Sequence, residues 1–270
     1  MNRIWPAWAL GAWCAAVLPT TANAEEPATL RVLCYNIHHG KGMDGRIDLP
    51  RIAEVIRKQR PDLVALQEVD VGVERSGRVH QLRRLGELTG MASRFGPTQD
   101  HQGGLCGNGV LSRLPILDVV IHPLPYTPWS REHPTYPRGL IAITVKGPNG
   151  KPLRFISTHF QHNVAEDRLA QARRINELFA AEGDDLPGIL AGDLNALPDS
   201  EPMTELHRLW TNTMNTPAAP SAPSPEPHSR IDYILYRPAG SMKRLSCEVI
   251  DETKASDHLP VLSVFELPVE

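Results

Sequence analysis

Basic clusters are missing from this chain. Its 28 lysines and arginines are scattered among 31 acidic residues, for a net charge of −3. A protein that grips nucleic acid by its backbone shows a basic stripe, because phosphate neutralisation dominates that affinity. Composition therefore argues against a dedicated nucleic-acid binder. Long apolar runs are missing beyond the N-terminus: no later stretch approaches the roughly 20 apolar residues of a spanning helix. Cysteine is scarce, with 4 in 270 residues. Cys34, Cys106 and Cys247 lack the short paired spacings of a zinc site. Cys34 lies in an apolar strand pattern and reads as a small buried hydrophobe. The three thiols leave room for one disulfide at most, with Cys106–Cys247 the sole pairing to consider.

The N-terminus is different. Arg3 precedes an apolar stretch from Ile4 to Leu18, and Ala22-Asn23-Ala24 followed by Glu25-Glu26 forms a cleavage signal. Residues 1–24 therefore read as a secretory signal peptide, which predicts a periplasmic or secreted protein; a retained N-terminal anchor is the alternative. Loss of Arg3 leaves residues 25–270 one unit more acidic, in one large domain.

Along that domain, apolar runs alternate with helical patterns. Leu30 to Tyr35 predicts a strand ending at Asn36. Asp48 is a suitable N-cap for a helix to about Gln59, stopped by Pro61, with Ile52, Val55 and Ile56 as its buried stripe. Leu63 to Leu66 reads as a doubly buried strand. A helix is expected from about Val79 to Leu88, closed by Gly90. Strands are expected at Val110 to Ser112, Ile116 to Ile121, Leu140 to Val145 and Leu153 to Ser157, the last entered through the turn Pro148-Asn149-Gly150. A long helix from about Ala165 to Ala181 would bury Leu169, Ala172, Ile175 and Leu178. Further strands fit Ile189 to Ala191, Ile231 to Tyr236, Leu245 to Ile250 and Leu259 to Phe265. The Pro-rich piece from Pro217 to Pro227 reads as a stiff surface loop within the domain. This pattern predicts two packed, mixed β-sheets with helices outside, an α/β architecture.

Polar clusters punctuate the strand ends. Glu68 follows a buried run, where a carboxylate is a hard oxygen ligand suited to Mg²⁺ or Mn²⁺, or else a turn acid. Asp193 and Asn195 sit two apart, and in an extended segment would share a face. Asp193 is then suited to take a proton from water or to help hold a metal, with Asn195 orienting the nucleophile; an ordinary Asx turn is the alternative. Asp232 is a charge inside a strand, costly unless paired, and a hydrogen bond to His258 in Ser256-Asp257-His258 would satisfy it. His159 ends a strand and is placed to donate to a phosphoryl oxygen, or is merely structural. Asn36 is a ligand orienter or a strand terminator. Asn108 is a site residue or a turn residue, while Arg75 and Arg138 either clamp a substrate phosphate or are solvated. His122 to Arg138 carries Tyr126, Trp129, Tyr136 and five prolines. It reads as an ordinary surface loop, with contact to substrate or a membrane surface as the alternative.

Tyr35-Asn36-Ile37, Leu66-Gln67-Glu68-Val69, Gly107-Asn108-Gly109-Val110-Leu111-Ser112, Ser157-Thr158-His159, Gly192-Asp193-Leu194-Asn195, Ile231-Asp232-Tyr233 and Ser256-Asp257-His258, in this order, resemble the endonuclease/exonuclease/phosphatase family. The resemblance implies a four-layer α/β sandwich with the site at one edge of two facing sheets, and a metal-dependent phosphoric ester hydrolase. It implies Mg²⁺ or Mn²⁺ at Glu68 with Asn36 and Asp257 nearby, and Asp193 with Asn195 positioning the attacking water. It further implies His258, paired with Asp232, as general base or its equivalent, and His159 on the phosphoryl group. His38, Arg75, Asn108 and Arg138 complete the candidates on the substrate side. One departure stands out: where some nuclease members carry an acid two residues after the asparagine, this chain has His38, then His39. The expected activity is exported phosphodiesterase action on a small or lipid-derived substrate. A secreted nuclease is the alternative, and a non-catalytic binding protein on the same fold a third.

Overall fold

The computed structural model describes residues 1–2, 28–132, 134–214 and 219–268. Most of the expected signal segment lies outside the described residues. Twelve strands and four α-helices follow in chain order: β1 Thr29–Asn36, α1 Leu49–Gln59, β2 Leu63–Val71, α2 Gln81–Thr89, β3 Ala92–His101, β4 Gly104–Ser112, β5 Ile116–Leu124, β6 Arg138–Lys146, β7 Pro152–His159, α3 Ala165–Phe179, β8 Gly188–Asp193, α4 Glu201–His207, β9 Thr211–Asn212, β10 Asp232–Arg237, β11 Lys243–Val249 and β12 Val261–Glu266. They build two six-stranded sheets, ordered β11-β12-β1-β2-β4-β3 and β5-β6-β7-β8-β10-β9. In each sheet one central pair is parallel, β1 with β2 and β7 with β8.

Apolar burial explains the layering. Val32, Cys34, Ala65 and Val110 of the first sheet pack against Ile141, Ile143, Phe155, Ile189 and Ile234 of the second. The outer face of the first sheet is covered by Ile52, Ile56, Leu82 and Leu85 of α1 and α2. Ala172, Ile175, Met203 and Leu206 of α3 and α4 cover the second. Strands buried on both faces need continuous apolar runs, which is why β1, β2 and β8 read that way. The expected four-layer sandwich is the observed one.

Local boundaries follow identifiable causes. Asp48 caps α1 by accepting the Arg51 N–H. α2 starts at Gln81 rather than Val79, because Val71 and His80 form a β-bridge and the His80 ring caps the Arg83 N–H. On α3, Leu169 and Leu178 are only half-buried; Gln171, Asn176 and Phe179 take the inward positions. Gln171 and Asn176 do so because they have work there: Gln171 accepts from the Gln161 N–H, and Asn176 accepts from the Trp210 indole. Strand β3 was hidden by Gly96 and Pro97 in its middle. An edge strand tolerates proline, and β3 is an edge with a bulge at that point. α4 and the two-residue β9 carried no periodic signal at all.

The Pro-rich segment is a loop exposed at Ala219, Pro223 and Pro225 to Pro227 where it is described, but it is anchored from within. Ser221 and Ser224 are fully buried. The Ser224 N–H donates to the Asp257 carbonyl at 2.7 Å and the Leu259 N–H to the Ser221 carbonyl at 2.7 Å. Prolines supply no donors, so the small serines between them carry the polar stitching that fastens this segment behind Asp257 and His258. Pro217 and Ala218 lie outside the described residues. Among the described residues no disulfide is formed, Cys34, Cys106 and Cys247 all being free. Cys106 and Cys247 lie on β4 and β11, at opposite sides of one sheet.

Candidate active site

Register alone brings the polar clusters to one edge. Asn36 pairs with Gln67 across β1 and β2. His159 pairs with Asp193 across β7 and β8, and Asp193 with Asp232 across β8 and β10. Gly192 precedes Asp193 because any Cβ there would overlap the Thr158 carbonyl of the neighbouring strand.

Glu68 reaches the site through a bulge. Leu66 pairs with Gly109 and Val69 with Gly107, so β2 fits three steps against two of β4. The extra residue takes a left-handed turn, φ 56° at Glu68, which re-aims its carboxylate while Gln67 stays inside and donates to Ser157. His38, His39 and Asn195 also hold positive φ, at 45°, 44° and 46°. Four of the chain's few such non-glycine residues thus cluster here, where strain has a functional setting.

Asn36 joins the two sheets. Its amide N–H donors reach Glu68 at 3.3 Å and Asp193 at 3.1 Å, and its carbonyl oxygen accepts from the His38 N–H. Asp193 and Asn195 do not share a strand face as expected. The left-handed Asn195 closes an Asx turn in which its N–H donates to Asp193 Oδ1 at 3.0 Å, because β8 ends at Asp193. Both side chains still line the cavity.

Asp193 faces two imidazoles. His159 Nε2 lies 3.4 Å from its Oδ2 and His258 Nε2 3.7 Å away. The other side of the His258 ring meets Asp232, whose Oδ2 lies 2.9 Å from Nδ1 and also accepts the Ser221 hydroxyl at 2.6 Å. Burial and the nearby Asp232 raise the Asp193 carboxyl above the usual range. For His258, burial favours the neutral ring, but Asp232 and Asp193 outweigh it and raise the group to about 10. Burial, reinforced by Arg138, keeps His159 well below the ordinary imidazole value. Burial also opposes ionisation of Glu68, yet the His39 ring 3.8 Å away and the hydrogen bond from Asn36 hold it below the carboxylate range.

These groups border a cavity of about 320 Å³ lined by Glu68, Asp193, Asn195, His159 and His258 together with Arg75, Asn108 and Arg138. Arg75 is not a free clamp: its guanidinium makes a two-pronged contact with buried Asp70, both bonds 2.9 Å. Asn108 spends its amide on the Gly139 carbonyl at 2.9 Å. Of the two arginines on the lining, Arg138 is the one left available, its buried Nε lacking a partner and its charge favoured by Asp193 and Glu68. His38 and Asp257 stand beside the cavity rather than on its lining, 3.6 Å apart. Sequence reasoning passed over Ser221, named His39, 3.8 Å from Glu68, only as a departure, and left Tyr136 on a loop with substrate contact as the alternative; its ring stacks on His162 at the cavity wall, centroids 5.9 Å apart. The loop carrying Tyr136 is not loose. Asp167, Gln161 and Asn163 bond Thr127, Tyr136 and Pro134. Trp129 is 64% exposed.

Two side-chain groups bring three metal-capable atoms within 4.8 Å of one another: Asp193 with Asp232 and His258, and His38 with His39 and Glu68. In the first, His258 and Asp232 already satisfy each other. In the second, the buried Nδ1 atoms of both histidines have no hydrogen-bond partner. The donor set around Glu68 therefore fits a divalent ion.

A sequence model of the endonuclease/exonuclease/phosphatase family matches residues 33–258, from the first strand to His258. The chain belongs to this family. Its members are hydrolases that act on phosphoesters or nucleic acids. The Escherichia coli K12 protein YbhP, itself uncharacterised, is 25% identical over 253 residues, covering 88% of this chain and 97% of that protein. A family member from Beutenbergia cavernae superposes with TM-score 0.73 and 29% identity, over 89% of this chain and 72% of that one. A mannosyl-6-phosphatase from Bacteroides thetaiotaomicron shares the fold with TM-score 0.68 and 20% identity, over 87% and 99% of the two chains.

Proposed function

We propose that this chain is an exported, metal-dependent phosphodiesterase that cleaves a small or lipid-derived phosphodiester by attack of an activated water. The observation that carries the reading is the convergence of Glu68 from one sheet, Asp193 and His159 from the other, and His258 from the loop between β11 and β12 around one cavity. Asp193 is the proton acceptor for the attacking water: buried, raised towards the operating range, and oriented by Asn36 and the Asn195 N–H. His258, held as imidazolium by Asp232, donates to a phosphoryl oxygen as charge builds there, and Arg138 adds a second cation. His159, kept neutral, supplies a further hydrogen-bond donor. Glu68, with His38, His39 and Asp257 around it, would hold the divalent ion, Mg²⁺ or Mn²⁺ if the oxygen donor of Glu68 dominates. When bound, that ion supplies Lewis-acid stabilisation of the phosphoryl oxygens.

Purified protein is expected to hydrolyse bis-(p-nitrophenyl) phosphate with a divalent ion and to lose that activity in EDTA. Undiminished turnover in EDTA would remove the metal from the reading. A parallel incubation with supercoiled plasmid at low salt separates the readings; nicking at a rate comparable to diester turnover would favour a nuclease.

Export rests on the pattern Arg3, Ile4 to Leu18 and Ala22-Asn23-Ala24. N-terminal sequencing of protein from a cell's periplasmic or medium fraction is expected to begin at Glu25. Full-length chain confined to the cytoplasm would end the export proposal.

A further inference from the structure

The corner behind Glu68 is where this chain departs from the acid that some family nucleases carry. Two adjacent histidines stand there, both on left-handed backbone, with φ 45° at His38 and 44° at His39. Their rings pack edge to face with centroids 4.5 Å apart. Among the described residues, they are the histidines with a buried ring nitrogen that has no hydrogen-bond partner. His39 is only 9% exposed. Glu68 is arranged to match, since Oε1 accepts from Asn36 while Oε2 turns towards His39 Nδ1, 3.8 Å away. Asp257 closes the outer side, 3.6 Å from His38 Nδ1. A strained backbone that gathers two imidazoles and one carboxylate with ligand atoms within 4.8 Å of one another, each ring keeping a buried nitrogen without a hydrogen-bond partner, has the character of an assembled ligand set.

We propose that His38, His39 and Glu68 form a two-histidine, one-carboxylate site that selects a late first-row divalent ion such as Zn²⁺, Co²⁺ or Fe²⁺ over Mg²⁺. Imidazole nitrogen suits those ions, whereas Mg²⁺ requires oxygen ligands and sheds water reluctantly. The neighbouring carboxylate Asp257, 3.6 Å from His38 Nδ1, adds a further oxygen donor beside the set. This rests on the reading that a divalent ion serves the reaction, and it changes which ion that is.

The test is direct binding to the EDTA-stripped, dialysed full chain. Titration with Co²⁺, read by its visible d–d absorption, and calorimetry with Zn²⁺ and Mg²⁺ are expected to show Co²⁺ and Zn²⁺ binding at least about 100-fold more tightly than Mg²⁺. His38→Gln and His39→Gln should each weaken Co²⁺ binding at least about tenfold and alter its spectrum, with little change for Mg²⁺. Glu68→Gln should weaken every ion. Thermal melts of each variant establish that it is folded, and the more exposed His38 carries the test should His39→Gln fail to fold. Mg²⁺ binding as tightly as Co²⁺, or histidine variants that bind Co²⁺ as the parent does, would overturn the proposal while leaving the metal-dependent reading intact. Binding of no divalent ion would overturn both.

Discussion

Asp193→Asn is expected to lower kcat for a phosphodiester at least about 100-fold, the low end for a group that moves a proton in the rate-limiting step. The substitution is close to isosteric, and its carbonyl oxygen can still accept the Asn195 N–H that closes the turn. What it removes is the capacity to take a proton at the position flanked by His159 and His258, together with the second acceptor, which Asn36 reaches at 3.1 Å. KM should change far less than kcat, because Arg138 and Asn108 are untouched. Steady-state kinetics on bis-(p-nitrophenyl) phosphate, with a melt to confirm folding, decide the matter. A kcat within about tenfold of the parent would assign the proton transfer elsewhere.

Asp232→Ala should cost both activity and stability. Asp232 is fully buried and is shared by the His258 ring and the Ser221 hydroxyl. Its loss leaves a buried imidazolium without its counter-charge, and breaking such a pair costs about 3–5 kcal/mol. The effect has a pH signature. Asp232 and Asp193 raise His258 from 6.5 to about 10 in the folded chain, against the opposing effect of burial. A raised cationic group contributes its full stability below the unfolded value and loses it as pH climbs through the folded one. Urea unfolding should therefore show the widest gap between parent and variant near pH 6, closing towards pH 10. Pairing the change with His258→Gln should recover part of the loss, since no charge is then stranded. A pH-independent gap, or a double variant as unstable as the sum of its parts, would mean that Asp232 acts by packing alone.

Much of this site was legible because sheets terminate at an edge. A carboxylate or imidazole at the end of a buried run has few structural excuses, so Asn36, Glu68, His159, Asp193 and Asp232 stood out. What stayed hidden depended on backbone departures that leave no periodic trace. The bulge at Glu68 and the left-handed Asn195 changed how side chains reach the cavity without changing which ones do. Arg75 looked free because its partner, Asp70, is five residues earlier on a strand whose inward face the pattern did not resolve. Ser221 sat inside a proline-rich stretch whose composition signals exposure, although its hydroxyl and carbonyl are tied to Asp232 and Leu259. His38 and His39 were visible as a departure from the family, but only coordinates show where their ring nitrogens turn.

The amide of Asn36 spans a seam. One carboxylate it holds belongs to the first sheet and the other to the second, so the distance between metal corner and proton acceptor is a property of how two slabs lie on each other. Reshaping Phe155 or Ile141, in the core between the sheets, would therefore shift catalytic alignment by sliding those slabs, much as a shim resets the jaws of a vice.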